Sequence, residues 1–167
     1  MKFTILIKVV FDCNVFLQAI SNEKSPAAAC FRLVQQKVIQ LFVSEETLAE
    51  LEEVLNRPYI KEHFGLADKM IVEFIYNLRI LAKVFSKVPQ VFALPRDVDD
   101  EIYINLAVEA EADYIVTRDK DLIYLMSGYD FESKQFRQKF RFLKIVQPLE
   151  FLRIVKDKIK ETTALKP

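Results

Sequence analysis

Asp12, Glu50, Asp97, Asp99, Asp100, Glu101 and Asp119 carry most of the chemistry this chain can offer. Asp12 lies in VVFDCNVF, Glu50 in SEETLAELEEVL, the next four in RDVDDEIYINLA, and Asp119 in YIVTRDKDL. Asp12 and Asp119 each follow a β-branched apolar run that reads as a strand. In open parallel sheets, ligands bind outside the carboxyl ends of the strands. Carboxylates gathered there repel one another unless a divalent cation sits among them. Oxygen-only ligands point to Mg²⁺ or Mn²⁺ rather than zinc.

Each acid also has a plainer explanation. Asp12 and Asn14 suit a helix N-cap for backbone reasons alone. Functionally, Asp12 would bind metal, and Asn14 would orient it or hold a phosphate. Acids at 97–101 complement a helix dipole, worth only ~0.3–1 kcal/mol each. One or two acids satisfy that, and a denser cluster adds repulsion, which favours a cation site. Asp121 is available to cap the helix DLIYLM, so Asp119 and Asp121 need not share a role. Thr117 offers a hydroxyl to metal or phosphate. Glu50 is surrounded by Glu45, Glu46, Glu52 and Glu53, which read as a solvated face. Leu48, Leu51 and Leu55 flank it on the apolar side of the helix, so it is expected to turn inward.

Other chemistries lack material. His63 is the single histidine and stands apart from the acids, which disfavours Ser-His-Asp and Cys-His catalysis. With two glycines there is no phosphate-cradling loop of the GxxxxGK[ST] or GxGxxG type. A phosphotransferase with Asp12 as nucleophile fits Asp12-Cys13-Asn14, but it leaves the other acids without a role.

The elements that must position these residues follow from the apolar pattern. The chain has 167 residues, half of them apolar, which suits one domain over 1–167 with a core from about 4 to 160. Lys and Arg number 24, as do Asp and Glu, and a neutral chain argues against a large non-specific polyanion binder. Strands are expected at 4–11, 39–44, 91–94, 112–117 and 142–148. Helices are expected at 13–20, from Ser25–Pro26 through Lys37, from Ser44 to Asn56, over 67–86, over 101–110, and from Pro148 to about 160. Tyr59–Gly65 reads as a short helical piece. The 67–86 stripe runs through Met70, Ile71, Phe74, Ile75, Leu78, Leu81 and Ala82. Ser44 caps one helix, and Thr47 with Glu50 also fits a capping box. Residues 127–142 are basic and aromatic and receive no element, although Phe136 and Phe140 share a helical spacing that would anchor them to the core. The alternative for KQFRQKFRF is a surface that pairs phosphate contacts with base stacking. The tail 161–167 is expected to fray. Alternating strands and helices imply a parallel sheet covered on both faces. Lys8 and Asp12 interrupt the first apolar run, which reads as a strand rather than a signal peptide. No segment is long enough to span a membrane. Cys13 and Cys30 are expected to be buried free thiols, and the protein to be cytoplasmic.

In this order, the four acidic motifs resemble the PIN domain family, in the bacterial and archaeal branch that includes toxins of toxin–antitoxin systems. VVFDCNVFLQAI is similar to the family's first-strand motif, SEETLAELEEVLNRP to its second, and RDVDDEIYINLAVEAEADYIVTRDKDL to its third and fourth. IVQPLEFL resembles its closing strand and helix. The resemblance implies a three-layer α/β/α sandwich with a central parallel sheet and a Mg²⁺- or Mn²⁺-dependent endoribonuclease. It implies Asp12, Glu50 and Asp119 as the first, second and fourth acids, and either Asp100 or Glu101 as the third. Asp97 corresponds to an accessory acid, and Asn14 and Thr117 to polar helpers. Expected partners are RNA, an antitoxin protein and a second copy of the chain, with no membrane. The rival expectation is a non-catalytic module of the same fold that binds RNA or protein. Cys13 stands where Thr or Ser is usual, AVEAEADY lacks the usual Gly, and SGYDFESKQFRQKFRF is longer than usual for this branch.

Overall fold

A computed structural model describes residues 7–165. Five parallel strands form one sheet in the order β3-β2-β1-β4-β5. They are β1 (Ile7–Phe11), β2 (Ile39–Ser44), β3 (Lys83–Phe85), β4 (Tyr114–Val116) and β5 (Lys144–Val146). The helices are α1 (Cys13–Ser21), α2 (Pro26–Gln35), α3 (Glu45–Leu55), α4 (Pro58–Phe64), α5 (Asp68–Leu81), α6 (Val98–Glu109), α7 (Lys120–Tyr124), α8 (Phe131–Lys139) and α9 (Pro148–Ala164).

The chain steps from β1 outward to β2 and β3, then returns to the other side of β1 for β4 and β5. Right-handed crossovers in opposite directions put their helices on opposite faces, which makes the α/β/α sandwich. The α6 helix packs on β1, β2 and β4, while α2 packs on β2 and against α1 and α9. Strands covered on both faces must be apolar throughout, and β1 and β2 are nearly all buried. Phe11 on β1 meets Phe16 of α1 and Phe151 of α9 at ring separations of 5.7 and 6.3 Å. The direction of travel reverses between β1 and β4, and their carboxyl ends flank the crevice where such sheets bind ligands.

Several elements differ from the sequence expectation. The stripe over 67–86 stops at Leu81, and Lys83–Phe85 pairs with β2 as an edge strand. Three residues are too few to reveal a period of two, and they prolong the apolar run of the helix before them. Within α5, Ile71, Ile75 and Leu78 are buried, but Met70 is exposed. Val91–Leu94 forms no strand, because its backbone pairs with side chains instead. Asn105 Oδ1 accepts from Val91 N and Phe92 N, both at 2.9 Å, and its Nδ2 donates to Phe92 O at 3.3 Å. The α6 helix begins at Val98 rather than 101, so its acids lie in the first turn. Residues expected to fray extend α9 to Ala164. Residues 4–6 of the first expected strand lie outside the described residues.

The unassigned stretch contains α8, capped by Asp130 through Ser133 N at 3.0 Å. Phe136 and Phe140 are buried and pack edge-on against Phe92, with centroids 5.8 and 5.9 Å away. Two of the three phenylalanines of KQFRQKFRF are therefore core rings, and Phe142 is half-exposed. Cys13 and Cys30 are both free and buried. Among the described residues, no helix is long and apolar enough to cross a membrane.

A candidate metal centre at the carboxyl edge of the sheet

Asp12 follows the last residue of β1 and caps α1. Its Oδ1 accepts from Cys13 N at 2.6 Å, and its amide donates to Val116 O at 3.0 Å. That backbone bond carries the β1–β4 pairing one residue past the strand end. On the other side, Thr117 is fully buried. Its hydroxyl donates to Asp12 Oδ2 at 2.7 Å and accepts from Asp119 N at 2.9 Å. Asp119, not Asp121, caps α7, with Oδ1 accepting from Asp121 N at 2.8 Å. Asn14 Oδ1 accepts from Arg118 N at 3.2 Å and ties α1 to the same loop.

Asp100 enters from the first turn of α6. One carboxylate oxygen from each of Asp12, Asp100 and Asp119 lies within 4.8 Å of the other two. Asp100 is buried, and its Oδ2 has no hydrogen-bond partner. A buried acceptor left unpaired costs about 1–3 kcal/mol, so this arrangement is incomplete as it stands. Three carboxylate oxygens this close together, with an orphaned buried atom among their residues, fit a hard divalent cation such as Mg²⁺ or Mn²⁺.

The electrostatics agree with that fit. Burial pushes Asp12 up to about 6, against the opposing pull of hydrogen bonds from Thr117 and the Cys13 amide, and with added repulsion from Asp119 and Asp97. Asp100 is raised well above the carboxylate range by burial, by hydrogen bonding with Asp97, and by the charges of Asp12 and Asp119. Asp97 is the residue before α6, and its carbonyl accepts from Asp100 N at 3.2 Å.

Glu50 and Glu101 take other positions. The α3 helix starts with a capping box between Ser44 and Thr47, not Thr47 and Glu50: Ser44 Oγ accepts from Thr47 N at 3.0 Å, and Thr47 Oγ1 from Ser44 N at 2.9 Å. Glu50 therefore has no capping duty. It is held by a hydrogen bond from the Tyr103 hydroxyl. Burial raises its pKa, the Tyr103 bond lowers it, and the Asp12 charge raises it further. Glu101 is not among the three acids and is engaged elsewhere. Its Oε1 accepts from Leu94 N at 2.7 Å and its Oε2 from Gln90 Nε2 at 3.0 Å. It fastens the 90–94 segment, so of the two alternatives for the third acid, Asp100 is the one beside Asp12 and Asp119.

Tyr103 was not singled out from the sequence. It is buried on α6, and its ionisation is strongly suppressed by that burial, so its phenol stays a donor. A cavity of about 660 Å³ opens between α3 and α6, bordered by Glu50, Glu53, Arg57, Gln90, Asp99 and Asn105. The three aspartates lie outside that lining, whereas Glu50 borders the cavity and feels the charge of Asp12. His63 sits on α4 against the edge of Phe64 and takes no part.

The family model for the PIN domain matches residues 8–121, a span that runs from β1 into α7. An uncharacterized protein of Methanocaldococcus jannaschii is 32% identical over 154 residues, covering 89% of this chain and 91% of that one.

Proposed function

We propose, from the premise that this chain belongs to the PIN domain family, whose members are generally nucleases, that it is a Mg²⁺- or Mn²⁺-dependent endoribonuclease. The observation that carries the reading is the unpartnered Asp100 Oδ2, buried beside the carboxylates of Asp12 and Asp119. Asp12, Asp100 and Asp119 would hold the cation, with Asp97 as an accessory acid before α6, and binding would release the proton that burial favours on Asp100. When bound, the cation supplies charge stabilisation at the phosphate and polarises a water.

The remaining roles fall to side chains. Thr117 holds the Asp12 carboxylate and the Asp119 backbone in one relative position. Glu50, fixed by Tyr103 and biased toward accepting a proton, orients the attacking water and takes its proton. The phosphorus–oxygen bond to the leaving ribose oxygen breaks, and that oxygen is protonated from solvent. Arg118 and Lys120 are exposed on either side of Asp119 and are available to phosphates of the strand.

The narrower reading is a toxin acting on cytoplasmic RNA and restrained by an antitoxin protein. It rests on the order of the four acidic motifs and their likeness to that branch. Incubating the protein with total cellular RNA, with and without Mg²⁺ or Mn²⁺, tests the nuclease reading, with Asp119→Asn as control. Metal-dependent cleavage lost in the variant supports it. RNA binding without cleavage in either metal would leave the non-catalytic module in its place. Growth arrest on expression of the wild type, absent with Asp119→Asn, tests the toxin reading.

A further inference from the structure

Two aromatic rings stand in solvent on a stretch of chain that is firmly held. Tyr129 is 85% exposed and Phe131 73% exposed. The loop between α7 and α8 is nevertheless pinned from below. The Arg137 guanidinium donates to Leu125 O at 2.9 Å and to Gly128 O at 2.7 Å. Gly128 is buried, and a Cβ there would lie 2.5 Å from both the Tyr124 ring and Ser133 Oγ. Asp130 accepts from Arg96 at 2.7 Å while capping α8.

These contacts lead back to the metal centre. Arg96 lies 5.3 Å over the Tyr124 ring and donates to Asp121 O at 3.3 Å, and Asp121 N donates to Asp119. The rings are thus fixed relative to Asp119 through short links. Phe131 shares the exposed face of α8 with Lys134, three residues on, and Arg118 and Lys120 are exposed beside Asp119. Glu132 is the one acid within α8 and is partly buried. Exposed rings interleaved with cations suit unpaired bases, because every base offers a π-face and every linkage a negative charge.

We propose that Tyr129 and Phe131 form a base-stacking platform for a single-stranded polynucleotide, whose phosphates Arg118, Lys120 and Lys134 lead toward the three aspartates. This rests on the nuclease reading and adds to it the side chains that would seat an unpaired strand, since the faces of duplex bases are already stacked.

Fluorescence anisotropy in metal-free buffer, where no cleavage intervenes, tests the platform. The ligands are labelled single-stranded RNA, single-stranded DNA of the same sequence, and the duplex. In the double variant Tyr129→Ala, Phe131→Ala, single-strand affinity should fall about tenfold or more while duplex affinity holds. The double variant Tyr129→Trp, Phe131→Trp should restore it. A loss confined to RNA or to DNA supports the platform and names the strand it serves. Unchanged single-strand affinity, an equal fall for the duplex, or no single-strand binding by the wild type overturns it, leaving the rings to a protein partner. The rise in melting temperature on adding Mn²⁺ should be the same in all three proteins. That readout depends on the aspartates alone, so its failure would count against the nuclease reading and not against the platform.

Discussion

Thr117 and Asp12 are 105 residues apart in the chain, and the threonine hydroxyl donates to the aspartate Oδ2 at 2.7 Å. The same hydroxyl accepts from Asp119 N. One buried oxygen thus sets the spacing of the two acids that end β1 and β4. Replacing it with a carbon of the same shape removes both bonds and leaves the Asp119 amide unpaired.

Thr117→Val is therefore expected to cost about 1–3 kcal/mol of stability, by the penalty for an orphaned buried group. It should also weaken Mn²⁺ binding, since the Asp12 carboxylate loses the donor that fixes it. Denaturant unfolding and calorimetric metal titration read the two effects. Full metal affinity in a destabilised variant would show that the hydroxyl supports the fold alone.

The raised acids make metal-free stability depend on pH in a defined direction. Asp12 has an ordinary value of 3.8 and a folded value of about 6, and Asp100 is raised above its ordinary value as well. In that window the unfolded chain gives up protons that the folded chain retains. Stability is fullest at the acid end and declines as pH rises through the folded values. Glu45 shifts the opposite way through its hydrogen bond with Arg79, and Asp130 through its hydrogen bonds with Ser133 and then the Arg96 charge, but solvent screening leaves both of small weight. The metal-free melting temperature should therefore fall from about pH 4 to pH 8. Mn²⁺ should raise it most at the upper end, where the carboxylates are ready to bind. Asp100→Asn should flatten the decline and remove the metal response. A metal-free protein that gains stability across this window would contradict the clustered-acid account.

Neighbouring acids on α6 should separate cleanly. Glu101→Ala leaves the buried Leu94 amide without its acceptor and releases Gln90, for a loss of about 1–3 kcal/mol. Its Mn²⁺ response should persist. Asp100→Asn should lose the metal response with little or no loss of stability, because it removes a repelled carboxylate. Thermal melts of both variants, with and without Mn²⁺, decide the matter, and the reverse pattern would make Glu101 the third acid.

Tyr103→Phe deletes the hydroxyl that holds Glu50 and little else. Cleavage should fall about tenfold to a hundredfold, on the scale of a mispositioned catalytic group, with metal affinity unchanged. Because a lowering hydrogen bond is removed, the acid limb of the pH–rate profile should move upward. An unaltered profile would show that Glu50 needs no positioning.

The fold was legible where apolar period and cap chemistry agreed. β2 and the starts of α2 and α3 follow from β-branched runs and from Ser25–Pro26 and Ser44. β3 was hidden because KVF continues the apolar residues of α5 and pairs along only one edge. Val91–Leu94 reads as a strand because it is extended and apolar, yet its partner is the Asn105 side chain rather than another strand. The acids at the ends of β1 and β4 stand out as polar breaks after apolar runs, and Asp12, Asp100 and Asp119 do meet in space. Tyr103 and Asn105 had no such signal. Both are buried in a helix covered on nearly every side, so a polar residue there leaves no gap in any stripe. Only contacts separate Glu101 from its neighbour Asp100.

The position of β1 between β2 and β4 also sets an order in time. During synthesis, Asp12 leaves the ribosome early and Asp119 late, and the last acid reaches the first only when β4 has docked against β1. Domains generally fold as units, once their whole sequence has been made. A half-translated chain contains β1 and β2, yet it has neither Thr117 nor Asp119 to set beside Asp12. Such a nascent chain has no complete carboxylate trio, so a metal centre built on the three aspartates can form only once β4 and the loop after it have been made.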